Sequence, residues 1–203
     1  MMRRLHIILG MMMIAISHAG PIPDTAKARG AVWFMNYCSG CHRLQYLPWK
    51  RMMTDLDLQP QAVMDVAPFH LSVLDSPGNS GLSNEDAQHW FAKMPPDLSK
   101  ISQIRGNNWL TGYLLEFYPD PARPYGVSNH KINQVMMPNV LFPVQQQMTT
   151  QNFARVIADI VSFLDYAADP MQALRYKVGF WVMGFLGISC GSIGLYELRR
   201  RRF

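Results

Sequence analysis

The chain has 203 residues, 49% of them apolar and 16% charged, with 3 cysteines. That length and apolar content allow one domain of ordinary size with its own core, plus targeting and anchoring segments. The net charge of +5 does not imply nucleic acid: between Gly20 and Pro170, 11 Lys and Arg stand against 13 Asp and Glu, a net −2, so the excess positive charge lies at the two ends. A mildly acidic middle is compatible with a basic soluble partner or with an ordinary solvated surface.

The chain opens on Met1-Met2-Arg3-Arg4, an apolar run from Leu5 to Ile16, and small residues at Ser17 and Ala19. This is the pattern of a secretory signal peptide over residues 1–19 cleaved after Ala19, and the apolar stretch is short for a membrane span. Asp24 or Thr25 can cap a helix from Ala26 to Tyr37, on which Gly30, Ala31 and Phe34 offer a small-and-aromatic face for close helix crossing.

Directly after it comes Cys38-Ser39-Gly40-Cys41-His42. Two thiols three residues apart on one helical turn can each form a thioether to a haem vinyl group, while the following histidine supplies an axial nitrogen to the iron. A thioredoxin-like pair would follow a strand in a βαβ pattern, and this motif follows a helix instead. A structural zinc site would need a second ligand pair, and Cys190 lies in a distant apolar run. The motif therefore predicts one covalently attached haem c.

Pro60 to Gly81 and Pro119 to His130 lack sustained periodicity and read as surface loops. Between them, Ser83-Asn84-Glu85-Asp86 starts a helix that Pro95-Pro96 ends, and Asn108 can cap another carrying Trp109, Leu110, Tyr113, Leu114 and Phe117 up to Pro119. Thr149 or Thr150 precedes Phe153, Val156, Ile157, Ile160, Leu164 and Ala167, an amphipathic pattern. These helices are expected to wrap the haem. No internal repeat is visible.

Val178 to Tyr196 is nineteen residues without a charge, and Arg199-Arg200-Arg201-Arg202 follow. Such a run spans a bilayer core at about 1.5 Å per residue. The arginines belong on the cytoplasmic side, which places the preceding domain outside. The sequence thus divides into a signal peptide (1–19), an exported haem domain (20–175) and a transmembrane anchor with a basic cytoplasmic tail (176–203).

The sixth position on the iron decides the chemistry: left open it favours ligand binding, whereas a thioether there favours reversible electron transfer. Of 15 methionines, five lie in the signal and Met183 in the span. Met94 and Met137 each precede a proline, which pushes the backbone toward extended geometry and suits a presenting loop. His70, His89 and His130 are further candidates. Three functions stay open on these residues: an electron-transfer subunit, a free-standing membrane-anchored monohaem carrier for another oxidase or reductase, and a haem-based sensor of small ligands.

Four stretches carry a family resemblance: Val32 through the haem motif to Leu44, Pro95-Pro96-Asp97-Leu98-Ser99, Arg105 to Leu110, and Val135-Met136-Met137-Pro138-Asn139-Val140-Leu141. With Phe163 to Pro170 leading into a single anchor, this ordered set resembles the cytochrome c1 family in its short proteobacterial form, the haem subunit of the cytochrome bc1 complex, ubiquinol-cytochrome c reductase. The resemblance implies a mainly α, class I-like c-type cytochrome domain with long loops and one C-terminal transmembrane helix. It implies haem held by Cys38 and Cys41, with His42 proximal and Met137 distal on the iron, Pro96 packed on the haem edge and Arg105 near a propionate, where its fork of donors suits a carboxylate. It further implies electron relay from a Rieske [2Fe-2S] protein to a soluble or membrane-tethered c-type cytochrome, an anchor packed on cytochrome b with Gly187 to Gly191 as a small-residue face, and a dimeric complex. No bond-making chemistry of the polypeptide is expected.

Overall fold

The computed structural model describes residues 25–59, 77–78 and 81–201. The expected signal peptide, His70 and most of the loop expected over residues 60–81 lie outside them. The fold is mainly helical, and its first and last domain helices cross. Helix α1 (Ala26–Tyr37) begins where the Thr25 side chain accepts from the Ala28 N–H at 3.1 Å. Helix α7, the amphipathic Thr150–Ala168, begins in the same way, with the Thr149 hydroxyl accepting from the Asn152 N–H.

The crossing is close because Gly30 has no side chain: a Cβ there would overlap the Asp159 carbonyl and come 2.9 Å from Cβ of Phe163. Phe34 and Phe163 meet beside it with ring centroids 5.3 Å apart, and the Arg29 guanidinium clamps the Asp159 carboxylate through two 2.8 Å bonds. The small-and-aromatic face expected on α1 is therefore the face that α7 covers. Ala31, Ile157, Ile160 and Leu164 extend this core, which continues through Leu44, Leu47, Trp49 and Met52.

Between these helices the chain makes short elements. Strand β1 (Leu44–Pro48) leads straight into α2 (Trp49–Asp55) and pairs antiparallel with β2 (Pro77–Gly78). Helix α3 (Asn84–Phe91) starts at Ser83, whose side chain accepts from the Asp86 N–H at 3.0 Å. It stops before the prolines expected to end it, because Ala92 turns left-handed at φ 58°.

The next helix also differs from expectation. A short α4 (Ile101–Arg105) is followed at once by α5 (Asn107–Leu115), and the break between them is Gly106 at φ 83°. Asn108 is inside α5 and makes no cap; the positive φ that suits glycine sets the start instead. Nor is the stretch from Pro119 to His130 a plain loop. Strand β3 (Phe117–Pro119) pairs with β4 (Val127–Asn129), Phe117 opposite Asn129. The turn between them closes through Asp120, whose N–H donates to the Gly126 carbonyl and whose carboxylate accepts from the Ala122 N–H. Helix α6 (Phe142–Gln147) then leads into α7.

Beyond Asp169, α8 (Gln172–Arg200) runs for 29 residues and is long and apolar enough to cross a membrane. None of its residues is buried, and Phe180, Trp181, Phe185 and Ile188 all project outward.

Candidate haem site

The Cys38–His42 segment continues the last turn of α1. The N–H groups of Cys38 and Ser39 donate to the Phe34 carbonyl, and those of Cys41 and His42 donate to the Cys38 carbonyl. Both thiols are thereby carried on one turn with the imidazole after them. Both are free, Cys38 buried and Cys41 half-buried. Burial, and then the neighbouring Cys41, push the Cys38 thiol up to about 12, and burial raises Cys41 as well. A nucleophilic redox pair needs a lowered pKa, so these thiols are poorly suited to disulfide exchange.

His42 is held from the other side of the chain. Its Nδ1 lies 2.9 Å from the Pro96 carbonyl. A carbonyl only accepts, so Nδ1 carries the proton and Nε2 keeps the lone pair that a metal requires. Burial lowers the His42 pKa against smaller upward pulls from the Pro96 carbonyl and the Asp97 charge, which keeps the ring neutral at neutral pH.

The Pro96 carbonyl is placed there by its successors. The Leu98 N–H donates to the Arg43 carbonyl, and the Asp97 carboxylate accepts from the N–H groups of both Gln45 and Ser99. The Ser99 hydroxyl in turn accepts from the Tyr46 N–H. Residues 96–99 are thus laced to residues 42–46, directly after the motif. Asp97 and Ser99 were visible in sequence only as part of a resemblance; their aspartate-x-serine spacing is the signal for the side-chain-to-backbone turn they make.

Met137 is half-buried, and the Tyr113 hydroxyl lies 3.5 Å from its Sδ. Tyr113 is stacked on Trp109, centroids 5.2 Å apart and nearly parallel, and the Arg105 guanidinium lies over the Trp109 ring at 5.0 Å. Burial pushes the Tyr113 hydroxyl up to about 12. The structure therefore links Arg105 to Met137 through two rings, and His42 to Pro96 by a direct bond. Arg105 also lines an open groove with Ser102, Asn107, Asn108 and Asp165. Of the other candidates, His130 is exposed and stacked on Tyr118, and His89 is on the exposed surface of α3.

This donor set fits a c-type haem. Two unpaired thiols share one turn, a neutral imidazole presents Nε2, and a thioether stands on a loop before a proline. Half-buried apolar side chains, among them Tyr37, Leu98, Trp109, Leu114 and Val140, pack against the hydrophobic core.

Comparison with known proteins decides the family. Residues 79–202 match the model of the Cytochrome C1 family. The chain is 33% identical to cytochrome c1 of Allochromatium vinosum over 186 residues, covering 78% of this chain and 76% of that one. The chain belongs to the cytochrome c1 family. It is also 28% identical to a Nitrosomonas europaea protein named ammonia monooxygenase gamma subunit, over 86% of this chain and 80% of that one, and 25% identical to cytochrome c1 of Blastochloris viridis, over 87% and 81%. As a family member the chain carries covalent haem c and transfers electrons as a membrane-anchored subunit of the cytochrome bc1 complex. The carrier and sensor alternatives are not favoured.

Proposed function

We propose that Cys38 and Cys41 tether the haem through thioethers, that His42 Nε2 is the proximal ligand, and that Met137 Sδ is the distal one. When bound, the haem supplies one-electron exchange at its iron. The chain's own residues do the rest. The Pro96 carbonyl fixes the His42 tautomer and ring orientation, as hydrogen-bonded partners do for metal-bound histidines generally. With the haem bound, Pro96 would pack on its edge and Arg105 would offer its donors to a propionate. The observation that carries this reading is the His42 ring held by Nδ1 on the Pro96 carbonyl beside two unpaired thiols.

The chain takes electrons from a Rieske [2Fe-2S] protein and gives them to a soluble or membrane-tethered c-type cytochrome. Residues 20–175 form the haem domain on the periplasmic side, after removal of residues 1–19, and residues 176–203 anchor it beside cytochrome b in a dimeric complex. The four arginines from Arg199 to Arg202 support a cytoplasmic C-terminus.

Substituting Met137→Leu should abolish the low-spin, high-potential spectrum while the haem stays covalently attached; an unchanged spectrum would move the role to Met136 or Met94. His42→Ala should prevent holoprotein assembly altogether. Gentle detergent extraction should bring down cytochrome b and the Rieske protein with the chain, and purification of the chain alone would contradict the assignment of partners.

A further inference from the structure

We propose that Tyr113 is a positioning residue for the distal ligand, its hydroxyl donating to the Met137 sulfur and so limiting how much electron density that sulfur lends to the iron. This rests on Met137 being the distal ligand. The donor and Sδ are 3.5 Å apart, within reach for a bond to sulfur. Tyr113 is fixed at both ends. Its ring is stacked on Trp109 and meets the edge of Phe117 at 5.4 Å, three aromatic residues spaced by four along α5 and into β3. Its backbone carbonyl accepts from Asn129 Nδ2 at 2.7 Å, and that buried asparagine is held in turn by the Lys131 N–H. Among the described residues no comparable hydroxyl bond fixes the sulfur of Met94 or Met136.

A thioether sulfur has two lone pairs. One can face the metal while the other accepts a hydrogen bond, and that bond draws density from the sulfur. Weaker donation disfavours the ferric state more than the ferrous, so the bond raises the reduction potential. Tyr113 is remote in sequence from the Cys38–His42 turn, and its hydroxyl meets the site at the Met137 sulfur.

The test is Tyr113→Phe in the full-length holoprotein, which keeps the ring on Trp109. The potential should fall, changing the ferrous-to-ferric ratio at a fixed ambient potential by about two- to tenfold, the range of one hydrogen bond. The sulfur-to-iron charge-transfer band should shift and persist. An unmoved potential and band, alongside loss of that band in Met137→Leu, overturns the role of Tyr113 and leaves the distal assignment standing. Retention of the band in Met137→Leu overturns both. In the unsubstituted holoprotein, exchange into D2O should shift the iron–sulfur stretch, and an unmoved stretch overturns the proposal whether or not the variant accumulates.

Discussion

Helices α7 and α8 follow each other with three residues between them, and they solve opposite problems. Helix α7 buries 11 of its 19 residues, on a stripe that repeats at helical spacing and leaves Gln151, Arg155 and Ala158 on the open side. Helix α8 buries none of its 29 and is apolar nearly all round. The first is stabilised by a partner helix, the second by a different solvent. A stripe needs something to pack on, whereas an all-round apolar surface is stable only where water is absent. Glycine makes the contrast concrete. On α1, Gly30 admits α7, whereas a methyl group added at Gly187 or Gly191 on α8 would meet nothing within 4 Å.

Placing the same substitution in each setting should separate them most widely. Gly30→Ala forces a methyl into the Asp159 backbone and should cost the domain about 3 kcal/mol or more, read by denaturant unfolding. Gly187→Ala should leave that unfolding curve unmoved. A silent Gly30→Ala would mean that α1 and α7 cross with room to spare.

A charge reverses the ranking of the helices. Ile188→Lys on α8 should cost about 3 kcal/mol of insertion, read as a shift of the chain from the membrane to the soluble fraction, and should not move the domain's unfolding. Gln151→Lys, on the exposed side of α7, should do neither. Next in size is the ion pair that ties α7 to α1: Asp159→Asn keeps the shape, weakens the clamp on Arg29, and should cost about 1 kcal/mol at neutral pH, because Arg29 is partly exposed and screened.

The smallest effect is a pH dependence at the end of α7. Tyr166 donates to Asp55 at 2.8 Å, and burial, then the Asp55 bond and charge, raise its pKa. The folded state therefore holds this proton more tightly than the unfolded chain, whose tyrosines ionise near pH ~10. The resulting stability is complete below about pH 10 and is lost as pH rises through the folded value. Tyr166→Phe should make the alkaline decline in stability shallower and leave the neutral range nearly unchanged; an equally steep decline would deny the hydroxyl its role.

What could be read in advance was what depends on neighbours in sequence. The Cys38–His42 turn, the caps at Thr25, Ser83 and Thr149, and the stripe of α7 are local patterns, and each appears in the fold. The misreadings fall where backbone angles or distant pairing decide. Gly106 at φ 83° set the start of α5, where Asn108 was expected to, and the β3–β4 pairing came from the Asp120 turn within a stretch with no periodicity. The Pro96 carbonyl could not be foreseen as the partner of His42, since 54 residues separate them and a backbone oxygen leaves no mark in sequence. Tyr113 looked like one more apolar position on a helix; its hydroxyl acquires meaning only once the Met137 loop lies against it.

The central claim is a haem bound covalently to this chain, with nitrogen on one side of its iron and sulfur on the other. Its most direct test is absorption and magnetic circular dichroism of the full-length protein in both oxidation states, with a haem stain after denaturing electrophoresis. The account predicts haem that stays on the polypeptide and a low-spin ferric spectrum with a sulfur-to-iron band. Haem released on denaturation, or a high-spin ferric iron without that band, would contradict it.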